Sequence, residues 1–292
     1  MLVALRVAYA PLFMIGFIGA ALSIAVAGWS LGWLAPLLLA AIAMSFLVER
    51  LIPYERDWNR PRGDAVRDVL HAVVNEASVY AGVALIPVMT LLSPASEIWP
   101  DGWPLWGQLL LAILVADLGI TLCHYGSHKV HWLWRFHAVH HSVKRMYGFN
   151  GLMKHPAHQA VETLAGAAPL ILIGMPLKVG VLLSFSVAIQ LLLQHANIDM
   201  RTGPLRHVMA WAPVHRFHHQ KWAGVGDVNF GLFTCVWDHL LRTAYYDPDK
   251  HLDAEAIGIG DEPNYPNGYL AQLAAPFRAR VGSGAQANSG PR

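Results

Sequence analysis

Three groups of closely spaced histidines are the residues of this sequence most able to do chemistry. His124 and His128 form an HxxxH pair, and two later segments share the spacing HxxHH. These two segments contain His137, His140, His141, His215, His218 and His219. Residues three and four apart on a helix share one face, so each segment can direct up to three imidazole nitrogens to a common point. The spacing predicts a metal site built from several histidines.

The number of histidines in these groups indicates two metal ions. A structural zinc site is complete with four ligands, whereas a larger set of nitrogen ligands favours a dinuclear catalytic centre. Imidazole binds iron, zinc, copper and nickel, so the ligand type alone leaves the metal open. Iron is the ion of this set that would give the centre oxygen chemistry. Desolvating so many imidazoles at a membrane surface would be costly unless they bound something.

The composition places these histidines in a membrane protein. Hydrophobic residues make up 55% of the chain and charged residues only 14%, whereas charged residues are about a quarter of a soluble domain. The net charge of +2 gives no electrostatic footprint for nucleic acid, which we do not expect as a partner. Two cysteines, Cys123 and Cys235, are too few for a disulfide framework and suit a reducing compartment.

Four apolar stretches are long enough to span a bilayer, which needs about 20 residues for each helix. They cover residues 7–27, 31–48, 69–92 and 105–123. The first stretch has an alternative interpretation as a cleaved signal peptide, because Arg6 precedes it. Arginines are concentrated between the second and third stretches, and residues 93–104 contain no Lys or Arg. The positive-inside rule then places the histidine groups on the cytosolic face.

A fifth apolar region, residues 160–193, would separate the histidines onto opposite faces if it crossed the membrane once. Gly174, Met175 and Pro176 divide it into two pieces of about 14 residues, each about 21 Å long as a helix. We therefore predict a re-entrant or shallow hairpin that returns to the cytosol. The predicted organisation is a four-span region over 1–123, a cytosolic catalytic region over 124–279 that includes the hairpin, and a disordered tail over 280–292. The predicted fold class is all-α, a multi-span bundle with a cytosolic helical cap that carries the di-metal site.

The order HxxxH, HxxHH, HxxHH in a chain with several predicted spans resembles the membrane-bound fatty acid hydroxylase and sterol desaturase superfamily. The segment Trp134-Arg-Phe-His137-Ala-Val-His140-His141-Ser is similar to the second histidine box of that family. Gln194-His195-Ala-Asn-Ile resembles its isolated histidine, and Asn229-Phe-Gly with Trp237-Asp238 resembles its terminal segment. Asp117 stands at the acidic position that precedes the first box. The resemblance covers residues 117–243.

The resemblance implies that the eight box histidines bind iron and that His195 is a ninth ligand. His155, in the segment His155-Pro-Ala-His158, matches a family position where a histidine precedes proline, and we include it in the ligand set. His158, three residues later, is added as a further candidate. Asp117 and Asp238 are expected to accept hydrogen bonds from ligand imidazoles, or else to serve as helix caps or ion-pair partners.

The resemblance also implies the reaction, an O2-dependent attack by a di-iron centre on a C–H bond of a membrane lipid such as a fatty acyl chain or a sterol. Hydroxylation is the first interpretation, and desaturation on the same centre stays open because the box spacing does not separate them. A membrane metal carrier or sensor is an alternative of another class, but it would line its ligands along the spans.

The electrons for this reaction are expected from a separate ferredoxin-like or haem-protein donor and its reductase, because the chain has no haem, flavin or nicotinamide fingerprint. Basic residues near the boxes could dock an acidic donor or attract anionic lipid headgroups. They are Arg135, Lys144, Arg145, Arg216 and Lys221. The expected location is a bacterial inner membrane or the endoplasmic reticulum membrane.

Overall fold

The computed structural model describes residues 2–88 and 98–278, and within them it is built from helices. The α-helices are α1 (Leu2–Val26), α2 (Leu34–Leu51), α3 (Ala65–Ala84), α4 (Leu105–Lys129), α5 (His131–His141), α6 (Pro156–Leu172), α7 (Leu177–His195), α8 (Ala212–His215), α9 (Val236–Leu241) and α10 (Tyr269–Ala274). Short 3-10 helices cover Leu31–Trp33, Arg56–Asn59, Gly148–Leu152, Gly203–His207, Arg216–His219 and Ala275–Phe277. The described residues form isolated β-bridges but no strand. The predicted all-α class is confirmed.

Five helices are long and apolar enough to cross a membrane. They are Leu2–Val26, Leu31–Leu51, Ala65–Val88, Leu105–Lys129 and Leu177–His195. Four of them coincide with the stretches predicted from the sequence, although the predicted end of the third stretch, 89–92, lies outside the described residues. The predicted tail, 280–292, lies outside them as well. These helices make the chain an integral membrane protein.

The fifth candidate span belongs to the hairpin predicted over residues 160–193. Its two helices, α6 and α7, are 17 and 19 residues long. They exceed the predicted 14 because α6 begins in polar sequence at Pro156 and α7 continues to His195. The turn between them uses Gly174, whose φ of 91° is in the left-handed region that favours glycine. The re-entrant insertion of this hairpin into the membrane stays a prediction.

Both ends of this hairpin lie beside the histidine groups. Ser127, in the last turn of α4, is within 2.8 Å of His158 in the first turn of α6, and α7 ends at His195 itself. The chain therefore leaves the histidine end of the molecule through α6 and returns to it through α7. This arrangement agrees with the argument that one crossing would have separated the ligands.

The close packing of α4 against α6 fixes the position of the first histidine pair. A Cβ atom added to Gly119 would lie 2.1 Å from the carbonyl oxygen of Ala165, so only glycine permits this approach. Helix α7 packs against α1, α2, α3 and α4 and is mostly buried. It is the centre of the bundle and carries His195 into the interior.

Candidate metal centre

Five histidines from three parts of the chain form the first group, which we call site A. Their ring nitrogens lie within 4.8 Å of one another; they are His124, His128, His137, His141 and His218. The Nε2 atom of His141 is 3.1 Å from that of His128 and 3.1 Å from that of His137. Two nitrogens bound at a right angle to one ion, with bonds of about 2.1 Å, lie about 3.0 Å apart. The spacing in site A fits ligands of a shared ion.

Four further histidines form the second group, which we call site B. They are His140, His195, His215 and His219, and their ring nitrogens also lie within 4.8 Å of one another. The Nε2 atoms of His215 and His219 are 3.2 Å apart. The two sites are neighbours, because the rings of His141 in site A and His219 in site B are stacked with centroids 4.7 Å apart.

Each HxxHH segment contributes to both sites, which corrects the expectation that it serves one common point. In α5, His137 and His141 belong to site A and His140 to site B. On a helix, residue i+3 lies about 60° from residue i on the side opposite to i+4, so α5 can face two sites at once. In the second segment, His218 belongs to site A while His215 and His219 belong to site B.

Backbone carbonyls orient several of these imidazoles. The Nδ1 atoms of His124, His140 and His218 donate to the carbonyls of Phe230, Met153 and Val228, at 2.8, 3.0 and 2.8 Å. This contact fixes the tautomer and leaves Nε2 unprotonated. The Nε2 atoms of His124 and His218 are buried without a hydrogen-bond partner among the described residues. A buried acceptor without a partner is costly, and a metal ion bound there would satisfy it.

His195, the ninth ligand that the resemblance implies, lies in site B. Both of its ring nitrogens are buried and find no hydrogen-bond partner in the described part of the chain. Its ring centroid is 4.9 Å from each of the rings of His140, His215 and His219. The end of α7 therefore delivers an unsatisfied imidazole into site B.

Burial keeps the imidazoles of the two HxxHH segments in the neutral form. It lowers the pKa well below its ordinary value, and the neighbouring imidazoles lower it further. This holds for His137, His140, His141, His215, His218 and His219. Neutral imidazole is the form that binds metals, so the sites need not lose protons before an ion enters at neutral pH.

Asp227 is a functional candidate that the sequence analysis missed. Its carboxylate accepts hydrogen bonds from Nδ1 of His128 and from Nζ of Lys129, both at 2.9 Å. Burial opposes ionisation of Asp227, but these two hydrogen bonds lower its pKa to about 2. A carboxylate on the outer nitrogen of a ligand imidazole orients the ring and increases its basicity. No local spacing predicts the contact of Asp227 with His128, because the two residues are 99 positions apart in the sequence.

Asp117 and Asp238 have other partners than the ligand imidazoles predicted for them. Asp117 accepts from the backbone of residues 232–234 and from the side chains of Thr234 and Trp237. Asp238 accepts from the backbone of residues 230–231 and from Thr243. Backbone amides therefore use the oxygens that the prediction gave to histidine. Both carboxylates hold the loop whose Phe230 carbonyl orients His124. They therefore act on His124 through this loop and not by direct contact with a ligand imidazole.

His155 and His158 occupy different surroundings. His155 lies outside the groups formed by the described residues: Nδ1 accepts from the Ala157 amide at 3.1 Å, and Nε2 donates to the Leu273 carbonyl at 3.2 Å. It caps α6, and this turns it away from the sites. His158 forms a third group with His137 and Glu162. Burial lowers the pKa of His158 to about 4, although the Glu162 carboxylate opposes this.

The sequence of this chain is similar to proteins of a known family. The fatty acid hydroxylase family matches residues 109–243, a range that includes both sites. An ornithine lipid hydroxylase of Rhizobium tropici is 35% identical over 254 aligned positions, and the match covers 84% of this chain and 76% of the relative. The chain belongs to the fatty acid hydroxylase family. It is an oxidoreductase of the hydroxylase type, as the family resemblance implied.

More distant relatives of this hydroxylase are two alkylglycerol monooxygenases. The protein of Danio rerio is 27% identical over 152 residues, 52% of this chain, and that of Caenorhabditis elegans is 24% identical over 177 residues, 61% of this chain. The matched regions span 33% and 34% of the length of these two relatives. No solved structure matches the chain significantly.

An open cavity of about 260 Å³ reaches site A of the hydroxylase. Three site A histidines line it, namely His128, His141 and His218. Its other walls combine apolar side chains with charged ones of both signs, namely Lys129, Lys221, Asp227, Asp261 and Glu262. The ring of Trp134 also lines the cavity and lies 5.1 Å from His128 and 5.2 Å from His141, between centroids.

Two of the basic residues proposed to dock an electron donor are buried. Arg145 is 5% exposed and forms an ion pair with Asp64 at 2.7 Å. Arg216 is 4% exposed, donates to the carbonyls of residues 196 and 198, and stacks on Tyr54 at 3.8 Å. Their roles are structural, because neither guanidinium can reach a partner. The docking hypothesis therefore retains only Arg135, Lys144 and Lys221.

Proposed function

We propose that this hydroxylase is an O2-dependent di-iron monooxygenase that hydroxylates a C–H bond of a membrane lipid. The observation that carries the proposal is the pair of adjacent buried histidine sites, with nitrogens that lack partners within the described residues. Five and four imidazoles fit two ions better than one. The relatives are a lipid hydroxylase and a monooxygenase, which favours hydroxylation over desaturation.

Two iron ions bound at these sites would supply the redox chemistry by which O2 and two electrons from a donor oxidise an unactivated C–H bond. The residues of the chain hold the ligand imidazoles and orient them. The carbonyls of Phe230, Met153 and Val228 keep Nε2 of three imidazoles free, and Asp227 does the same for His128. The ring of Trp134 covers His128 and His141 and excludes water from part of site A.

An amino-acid-containing lipid is our first candidate for the substrate. The R. tropici relative, which this chain matches over most of its length, is an ornithine lipid hydroxylase by name. The cavity at site A supports this choice, because Lys129, Lys221 and Asp261 provide both signs of charge around its walls. A zwitterionic headgroup would find complementary charges there, whereas an alkyl chain would not.

The remaining parts of the proposal concern location and electrons. We place the histidine end of the molecule on the cytosolic side of a bacterial inner membrane or of the endoplasmic reticulum, from the distribution of Lys and Arg. A separate ferredoxin-like or haem-protein donor, with its reductase, would deliver the electrons. The clustering of ligands at one end of the bundle argues against a metal carrier, which would distribute them along a pathway.

The test expresses the full chain in a bacterium that makes ornithine lipids and compares lipid masses with those of the His140→Ala variant. We expect a lipid heavier by one oxygen only with the unmodified chain, and about two irons per purified chain. His207→Ala is the matched control, because His207 is exposed and belongs to neither site. A product lighter by two hydrogens would replace the hydroxylase with a desaturase, and unchanged lipids with metal-free protein would contradict the proposal.

A further inference from the structure

A buried glutamine near the end of the described chain reaches the edge of the histidine sites. Gln272 lies in α10, outside the range that matches the family, and its side chain is 0% exposed. Its Oε1 atom is 2.9 Å from Nε2 of His71, and its Nε2 atom donates to Ser142 Oγ at 3.1 Å and to the Pro266 carbonyl at 2.8 Å. Burying an amide is costly unless its hydrogen bonds are made, and Gln272 makes them to three separate segments.

One of these contacts leads to His140 through α3. His71 is fully buried, and its Nδ1 atom is 2.9 Å from the Lys154 carbonyl. Asn75, one turn further along α3, donates to the carbonyls of Leu152 and Lys154, both at 2.9 Å. Between them, the Met153 carbonyl accepts from Nδ1 of His140 at 3.0 Å. The segment 152–154 is thus held by α3, and its central carbonyl orients a site B imidazole.

The second contact leads to the end of α5. Ser142 follows His141 directly, and its hydroxyl donates to the Val139 carbonyl at 2.7 Å while accepting from Gln272. This closes the last turn of the helix that carries His137, His140 and His141. One side chain therefore links α10 to α5 and to His71 of α3, the helix whose Asn75 holds the segment 152–154. Ser142 directly follows His141 of site A, and the segment held by α3 contains Met153, whose carbonyl accepts from His140 of site B.

We infer that Gln272 is a positioning residue of the metal centre. It holds the end of α5 and the segment 152–154 in register, so that His140 and His141 point to sites B and A. The inference rests on the proposed function, because it presumes that the histidines bind ions. Residues that orient metal ligands from outside the ligand set change metal affinity by about 10- to 100-fold when replaced.

The test titrates Co²⁺ into the purified, metal-free full chain in detergent and follows visible absorption. Gln272→Met keeps the side-chain volume and removes the three hydrogen bonds, and we expect about tenfold or more weaker binding with altered absorption bands. Ser142→Ala removes one of the contacts and should weaken binding in the same direction by less. Thermal unfolding of each metal-free protein shows how much of the change is loss of folding.

Gln108→Met is the matched control for the loss of a buried amide. Gln108 is 8% exposed and makes three hydrogen bonds, to Trp99, Asp101 and Trp103. It lies about 24 Å along α4 from His124, at the opposite end of the bundle. If Gln272→Met binds Co²⁺ like Gln108→Met, the positioning role is overturned. If the unmodified chain does not bind two ions, the proposed function fails first and this inference fails with it.

Discussion

Sites A and B share the two HxxHH segments but differ in their access to the outside. Three of the five histidines in site A line an open cavity, and one of them has a carboxylate partner in Asp227. The side chains of both sites are largely buried, but none of the four histidines of site B lines that cavity. Site B is enclosed by α7 and by the second HxxHH segment. A molecule that enters the cavity from outside therefore meets site A before site B.

The difference also separates two tasks within one centre. An enclosed site keeps water away from its ligands, which strengthens every electrostatic interaction there. An open site admits the reactants and must control its ligands by other means, and Asp227 does so for His128. We therefore assign the approach of the substrate to site A and the retention of a protected ion to site B.

Loss of one ligand from each site should have the largest effect. We expect His141→Ala in site A and His219→Ala in site B each to reduce hydroxylation more than about 100-fold, because neither ion is held without its full set. Iron content should fall towards one ion per chain in either variant, as measured by metal analysis of the purified protein. A His207→Ala chain should keep both ions. A variant of either site with full activity and two irons would break the division into two sites.

Acidification should have the next largest effect, because it acts on six histidines together. Burial lowers their pKa values in the folded chain. In the unfolded chain, histidines have the pKa of model peptides, about 6.5. The unfolded chain thus takes up protons first as the pH falls. The stability of the metal-free protein should be fully present above about pH 6.5 and decrease below it.

The measurement is thermal unfolding of the metal-free chain at several pH values on either side of this limit. The metal-loaded protein sharpens the comparison. The open cavity reaches site A and not site B, so the ion of site A should leave first on acidification. Equal melting temperatures in weak acid and at neutral pH would contradict the linkage. Simultaneous loss of both ions would contradict the difference in access.

Local patterns explain why much of this centre was predictable. Apolar runs force helices in a membrane, and the HxxxH and HxxHH spacings bring imidazoles to one side of a helix or turn. The choice of His195 as a ninth ligand came from the family resemblance, and its grouping with His140, His215 and His219 is seen only in the structure. The division of each HxxHH segment between two sites was not predictable, because it depends on where α5 and α8 lie relative to each other. That relation is set by packing between distant parts of the chain.

Contacts between distant residues also explain the differences at the carboxylates. Asp227 meets His128 only after the chain has passed through α5, α6, α7 and α8, so no spacing links the two. Asp117 faces a loop more than a hundred residues away, whose amides use both of its oxygens. Asp227 follows Gly226, where the close approach of the backbone to residues 218 and 220 requires glycine. A glycine alone does not reveal which carboxylate follows it to the site.

Replacement of Asp227 should have the smallest of the three effects and should be confined to site A. Asp227→Asn keeps the shape of the side chain but removes the charge that favours His128 as a ligand. We expect metal affinity at site A to fall about tenfold and the ion of site B to remain, as seen by titration of the metal-free chain with Co²⁺. Asp261→Asn is the matched control, because Asp261 lines the same cavity and belongs to neither histidine group. Equal weakening of both ions by Asp227→Asn would show that the two sites share one set of supports, and the distinction between an open and an enclosed site would then carry no chemical meaning.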